Sequence, residues 1–102
     1  MQWYLDDRLA AGDRRLRQVE DVSVGLAQQV LANPEAGFRE VKTAQLVAEK
    51  FQEMGIQHES GLALTGLKGR IKGGAGPGPS VAVIGELDSL VVTEHPHADP
   101  DT

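Results

Sequence analysis

The first half of the chain contains two stretches in which apolar residues recur every three or four positions. The first stretch consists of Leu16, Val19, Val22, Leu26 and Val30. This spacing is one stripe of an amphipathic helix and predicts a helix over residues 13–32, with Asp13 as its N-cap. Pro34 disfavours helical geometry in the residue before it, so we expect the helix to end there.

The second stretch predicts another amphipathic helix, from Glu40 to Met54. Its apolar stripe consists of Ala44, Val47, Phe51 and Met54. Gly55 follows the stripe directly. Glycine readily adopts the left-handed conformation that ends helices, so we expect Gly55 to terminate this one.

Beyond Ile56 the period changes to that of strands. Residues 56–60 predict a short strand, and residues 66–72 predict a half-exposed one because apolar positions alternate with Lys68, Arg70 and Lys72. A glycine- and proline-rich loop over 73–79 precedes the continuous apolar run of residues 81–84. Such a run is typical of a strand covered on both faces. The element order therefore predicts an α/β fold, the incomplete N-terminal part of an α/β/α sandwich.

Composition and charge exclude several classes of protein. The 102 residues carry a net charge of −5, and residues 80–102 contain five acids and no base. This balance argues against binding to nucleic acid or an anionic membrane. Cysteine is absent, and no apolar stretch approaches the ~20 residues that span a bilayer. We expect a soluble, cytoplasmic protein.

The carboxyl end of the predicted buried strand is the first place to look for chemistry, because ligands of open α/β sheets bind there. Glu86 and Asp88 follow the strand and are two residues apart. In extended backbone their side chains share one side, with Cα atoms roughly 6.5–7 Å apart. Two such carboxylates bind a metal, orient a ligating imidazole or transfer protons. The alternative is a pair of solvated loop acids.

Three histidines offer a weaker signal. His95 and His97, followed by Asp99, have metal-ligand spacing. Pro96 favours a polar loop instead, and we expect His58 to be structural.

The glycine-rich loop precedes a strand rather than a helix, so it does not fit a phosphate loop.

Four stretches together resemble the M20 family of metallopeptidases and amidohydrolases, particularly its aminoacylase-like and aminobenzoylglutamate-hydrolase-like branch. They are LANPEAGF at 31–38, EVKTA at 40–44, FQEMGI at 51–56 and VAVIGELDSL at 81–90. The resemblance covers about residues 15–92.

The resemblance implies a hydrolase with two divalent metal ions, zinc or manganese, that cleaves the amide bond of N-acyl or N-aminoacyl compounds. A metal-bridged water would attack the carbonyl, with a glutamate as general base. Asp88 matches the family's aspartate that orients a metal-binding histidine, and Glu86 stands where that histidine is found in many members. The implied partners are a small amide or peptide substrate and further copies of the protein.

The family's downstream H-A-C-G-H ligand motif, its Glu-Glu pair and its later histidines do not occur in these residues. We therefore divide the chain into an extension (1–12), the first part of a catalytic domain (13–92) and a polar loop (93–102). As an N-terminal fragment it is expected to be inactive alone. The alternative is a small α+β interaction module that dimerises through an exposed sheet edge, without chemistry.

Overall fold

The computed structural model describes residues 2–90, 92–99 and 101, with side chains placed for residue 12 and from residue 14 onward within those ranges. The chain divides into two compact units, Met1–Ala32 and Asn33–Thr102. Each unit is described by itself.

The first unit is a single helix, α1 (Gln2–Ala32), of 31 residues. Its end agrees with the predicted stop before Pro34. Its beginning does not agree, because Asp13 lies within the helix rather than at an N-cap. Residues 2–11 are rich in leucine, alanine and other strong helix formers, which carry the helix past Gly12. Among the described residues, neither helix is both long and apolar enough to cross a membrane.

The second unit begins with helix α2 (Val41–Glu53), close to the predicted bounds. Gly55 has a φ of 68° and donates its N–H to the Gln52 carbonyl oxygen at 3.1 Å. The amide of Ile56 donates to the Phe51 carbonyl oxygen at 2.8 Å. These two bonds form a Schellman motif, which confirms Gly55 as the residue that terminates the helix.

An antiparallel hairpin follows, formed by β1 (His58–Leu62) and β2 (Gly66–Gly69). His58 pairs with Gly69 and Leu62 with Gly66, with an irregular register between them. The turn places two non-glycine residues, Ala63 and Leu64, at φ values of 46° and 80°. The hairpin packs against α2 where Gly69 lies. A Cβ atom there would be 3.1 Å from Ile56 and 3.2 Å from Phe51.

The prediction of a buried strand over residues 81–84 is wrong. The predicted buried strand is irregular backbone in the structure, and Val81, Val83 and Ile84 are 89, 98 and 89% exposed. A strand covered on both faces needs neighbours in the sheet, and the described sheet contains only β1 and β2, paired with each other. The predicted α/β class is nevertheless confirmed by two helices and a strand pair.

The most buried side chains in the described part of the chain are polar. Glu40 is 7% exposed and Thr43 is 5% exposed, whereas no apolar residue there is fully buried. Even Met54, a member of the predicted apolar stripe of α2, is 62% exposed. The centre of the second unit is therefore a hydrogen-bonded cluster rather than an apolar core.

Candidate functional site

The Glu35 side chain caps the N-terminus of α2 from six residues away. Its Oε2 atom accepts the amide of Lys42 at 3.0 Å, and its Oε1 atom accepts the amide of Thr43 at 2.6 Å. The Thr43 hydroxyl donates to the same Oε1 atom at 2.7 Å. The first amides of a helix have no acceptor within the helix, and its N-terminus favours negative charge. Glu35 meets both requirements, although Glu40 occupies the N-cap position itself.

Glu40 links two turns through its own carboxylate. Its Oε1 atom accepts the amide of Phe38 at 2.8 Å, and its Oε2 atom accepts the hydroxyl of Thr65 at 2.6 Å. Phe38 has a φ of 62°, in the left-handed region that residues other than glycine rarely adopt. The bond from its amide to Glu40 holds it in this conformation. The Thr65 bond joins the start of α2 to the hairpin turn. We call Glu35, Glu40, Thr43 and Thr65 the polar cluster.

Hydrogen bonding lowers the pKa of both carboxylates of the polar cluster. Partial burial acts to raise the pKa of Glu35. The bonds from the Lys42 amide and from the hydroxyl and amide of Thr43, with the charge of Lys42, outweigh it and lower that pKa. For Glu40, the Thr65 hydroxyl lowers the pKa most. Hydrogen bonds from its own amide and from the amide of Phe38 lower this pKa further. Partial burial and the nearby charge of Glu35 act in the opposite direction and raise it.

The segment that carries the two predicted site residues is attached to this cluster. The amide of Ser89 donates to the main-chain carbonyl oxygen of Glu35 at 2.7 Å. Asp88 directly precedes Ser89, and Glu86 lies two residues earlier; both carboxylates are exposed. The structure thus places Glu86 and Asp88 on irregular backbone, in the segment that Ser89 attaches to Glu35. Their assignment as metal-site residues remains a prediction.

The three histidines lie in two separate places, and the structural role expected for His58 stays a prediction. The ring of His58 is 5.5 Å from that of Phe51, and its Nδ1 atom is 3.1 Å from the Ile56 carbonyl oxygen. His95 and His97 lie in a turn, where the amide of His97 donates to the Nδ1 atom of His95 at 3.1 Å. Residues 93–99 are turns and irregular backbone in the structure. The assignment of residues 93–102 to a polar loop stays a prediction.

The metal centre that the resemblance implies requires several ligand side chains gathered in one place. Among the side chains that the structure describes, at residue 12 and in the ranges 14–90, 92–99 and 101, no three histidines, aspartates or glutamates gather into a group that could hold a metal ion. Two neighbouring carboxylates, Glu86 and Asp88, do not supply the ligand set of a zinc or manganese site. These residues therefore do not fit a metal centre by themselves.

The sequence motifs include Glu35, Glu40 and Thr43 without giving them a role, and no motif includes Thr65. Glu35 lies in the stretch LANPEAGF, Glu40 and Thr43 lie in EVKTA, and Ser89 lies in VAVIGELDSL. The structure joins these three stretches by hydrogen bonds. An acid shortly before a helix, with a threonine in its first turn, was the signal available for the cap.

Comparison with known proteins identifies relatives of the chain by sequence. Thermostable carboxypeptidase 2 of Saccharolobus solfataricus is 35% identical over 80 residues, which are 78% of this chain and 20% of the relative. IAA-amino acid hydrolase ILR1-like 5 of Arabidopsis thaliana is 35% identical over 74 residues, 72% of this chain and 17% of the relative. Thermostable carboxypeptidase 1 of Saccharolobus solfataricus is 33% identical over 81 residues, with coverages of 78 and 20%. No model of a protein family matches, and no solved structure matches.

By their names these relatives are carboxypeptidases and an amino acid hydrolase. The chain is a relative of the M20 family of such enzymes, which confirms the resemblance carried by its motifs. It spans a fifth or less of the length of the curated relatives that it matches.

Proposed function

We propose that this chain is the N-terminal part of the catalytic domain of a metal-dependent amidohydrolase or peptidase. The enzyme would hydrolyse the amide bond of N-acyl or N-aminoacyl compounds. The observation that supports this proposal most strongly is the convergence of three family-like stretches on Glu35, Thr43 and Ser89. Sequence similarity to carboxypeptidases and amino acid hydrolases supports the same reaction class.

Asp88 and Glu86 are the groups that the chain would contribute to the chemistry. An exposed carboxylate such as Asp88 is able to accept the ring N–H of an imidazole and fix its orientation, as aspartates beside metal-ligating histidines do. Glu86 would stand at the position of the metal-binding histidine of many family members, as the candidate metal ligand of this chain. Only the resemblance to the family supports the metal in this proposal, because the described residues form no metal centre.

The other ligands would come from parts of the enzyme outside this chain. The curated relatives are about five times as long as the matched stretch, so most of their residues have no counterpart in it. We propose that the chain alone is inactive for this reason. Absence of cysteine and an acidic composition support a cytoplasmic location for the enzyme.

The test begins with the coding sequence downstream of Thr102. If the frame continues, the longer protein is expressed and assayed for release of amino acids from N-acyl and N-aminoacyl substrates. Asp88→Asn is then expected to lower turnover about 10- to 100-fold, the usual effect of losing a partner that orients a metal ligand. Asp101→Asn removes the same charge from the polar loop and serves as the matched control, which should remain fully active.

Two results would overturn the proposal. One is a stop codon after Thr102, which would leave the non-catalytic interaction module as the function to be tested. Sedimentation of the chain would then show whether it self-associates, as a module that dimerises through an exposed sheet edge would. The other is a longer protein that hydrolyses these substrates equally well with Asp88→Asn.

A further inference from the structure

Glu35 makes hydrogen bonds in two directions at once. Its carboxylate faces α2 and accepts hydrogen bonds from Lys42 and Thr43, at 2.6 to 3.0 Å. Its main-chain carbonyl faces the later segment and accepts the amide of Ser89 at 2.7 Å. One residue therefore connects the N-terminus of a helix with the segment that carries Asp88.

The two sets of bonds constrain one another. The side-chain bonds fix the Glu35 carboxylate against the first turn of α2, where Thr43 is only 5% exposed. A carboxylate held by three donors restricts the rotation of its own backbone, and so the direction of its carbonyl group. That carbonyl in turn holds the peptide between Asp88 and Ser89. Residues 81–86 before it are exposed and irregular, so this bond is a local anchor for the segment.

We propose that Glu35 is a positioning residue that holds the Asp88 carboxylate in its working orientation. This inference rests on the proposed function of Asp88. Glu35 does not act as an acid or base itself, because its oxygens are already occupied by donors from α2. A displacement of about 1 Å in a catalytic group lowers turnover by as much as 10²-fold, so an anchor next to Asp88 affects catalysis without contact with the substrate.

The first experiment uses this chain and Glu35→Gln. The amide group of glutamine keeps the size of the side chain but replaces one acceptor oxygen with a donor, which opposes the amides of α2. We expect amide hydrogen exchange at Ser89 to become about three- to tenfold faster, as for loss of one hydrogen bond. Glu49→Gln makes the same charge change on the exposed side of α2 and is the matched control, with exchange at Ser89 unchanged.

A second readout separates positioning from support of the helix. Far-ultraviolet circular dichroism reports the helix content of the Glu35→Gln chain. Faster exchange at Ser89 with unchanged helix content supports positioning. Unchanged exchange at Ser89 overturns the inference. So does faster exchange accompanied by loss of helix content, because Glu35 would then serve only to stabilise α2.

The kinetic arm uses the longer protein. There, Glu35→Gln is expected to lower kcat about tenfold and to leave KM unchanged, because an anchor for Asp88 does not bind substrate. A change in KM alone overturns the inference. If Asp88→Asn leaves turnover intact while exchange at Ser89 still responds to Glu35→Gln, the anchor exists but the proposed function is wrong. The two failures are thus distinguishable.

Discussion

The positive φ of Leu64 strains the backbone of the hairpin turn, and a substitution by glycine tests how much. Leu64 has a φ of 80° and its side chain is 74% exposed. A left-handed conformation costs a non-glycine residue about 1–2 kcal/mol, whereas glycine adopts it freely. Glycine loses about 0.5–1 kcal/mol more conformational entropy on folding. Little burial is lost with the side chain, so Leu64→Gly should stabilise the hairpin by about 0.5–1 kcal/mol.

Amide hydrogen exchange measures this gain locally. The amide of Arg70 donates to the Gln57 carbonyl oxygen at 3.2 Å, just beyond the paired strands, and exchanges when the hairpin opens. Because 1.4 kcal/mol is a factor of ten, exchange at Arg70 should slow about two- to fivefold in Leu64→Gly.

A reciprocal variant controls for the reasoning. Gly55 also has a left-handed φ, 68°, and no atom lies within 4 Å of the position of a Cβ there. Gly55→Ala therefore adds strain without a clash, and should destabilise the end of α2 by about 1 kcal/mol. Exchange at the Ile56 amide should accelerate about fivefold. The reasoning is refuted if exchange at Arg70 is faster in Leu64→Gly, or if Ile56 is unaffected in Gly55→Ala.

Two further predictions concern the polar cluster and the packing of the hairpin. Because the pKa values of Glu35 and Glu40 lie below their ordinary 4.5, both carboxylates stabilise the fold above pH 4.5. That stability is lost as the pH falls through the lowered pKa values of the two carboxylates. Hydrogen exchange of the second unit, measured over a range of pH, should show this as a loss of amide protection below pH 4.5. Unchanged protection there would contradict the prediction. Gly69→Val should destabilise the chain by about 1–3 kcal/mol by crowding Phe51 and Ile56, measured as a lower urea midpoint. Gly73→Val, where a Cβ meets nothing within 4 Å, should leave the midpoint unchanged.

The sequence contained clear signals for where helices end, because these signals are local. Pro34 and Gly55 act through their own backbone conformations, and both helix ends were predicted within two residues. The beginning of α1 was missed because Gly12 and Asp13 look like a boundary although the helix passes through them. The tight turn at Leu64 was also hidden, since leucine has no preference for a positive φ.

Features that depend on contacts between residues far apart in the chain could not be predicted from the hydrophobic pattern. The bond between Thr65 and Glu40 joins residues 25 positions apart, and no periodicity marks it. The apolar run at 81–84 indicates a segment that is suited to burial, but burial also requires neighbouring strands. For the candidate site, the sequence placed Glu86 and Asp88 together, while their attachment through Ser89 to Glu35 emerged only from the structure.

A second unit centred on hydrogen-bonded carboxylates has a thermodynamic consequence. The heat-capacity change of unfolding grows with newly exposed apolar surface and falls with exposed polar surface. The described residues bury no apolar side chain fully, while Glu40 and Thr43 are the most buried. Unfolding of this unit should therefore show a small heat-capacity change and a weak dependence on urea. Its stability would vary almost linearly with temperature, without the pronounced maximum that an apolar core produces.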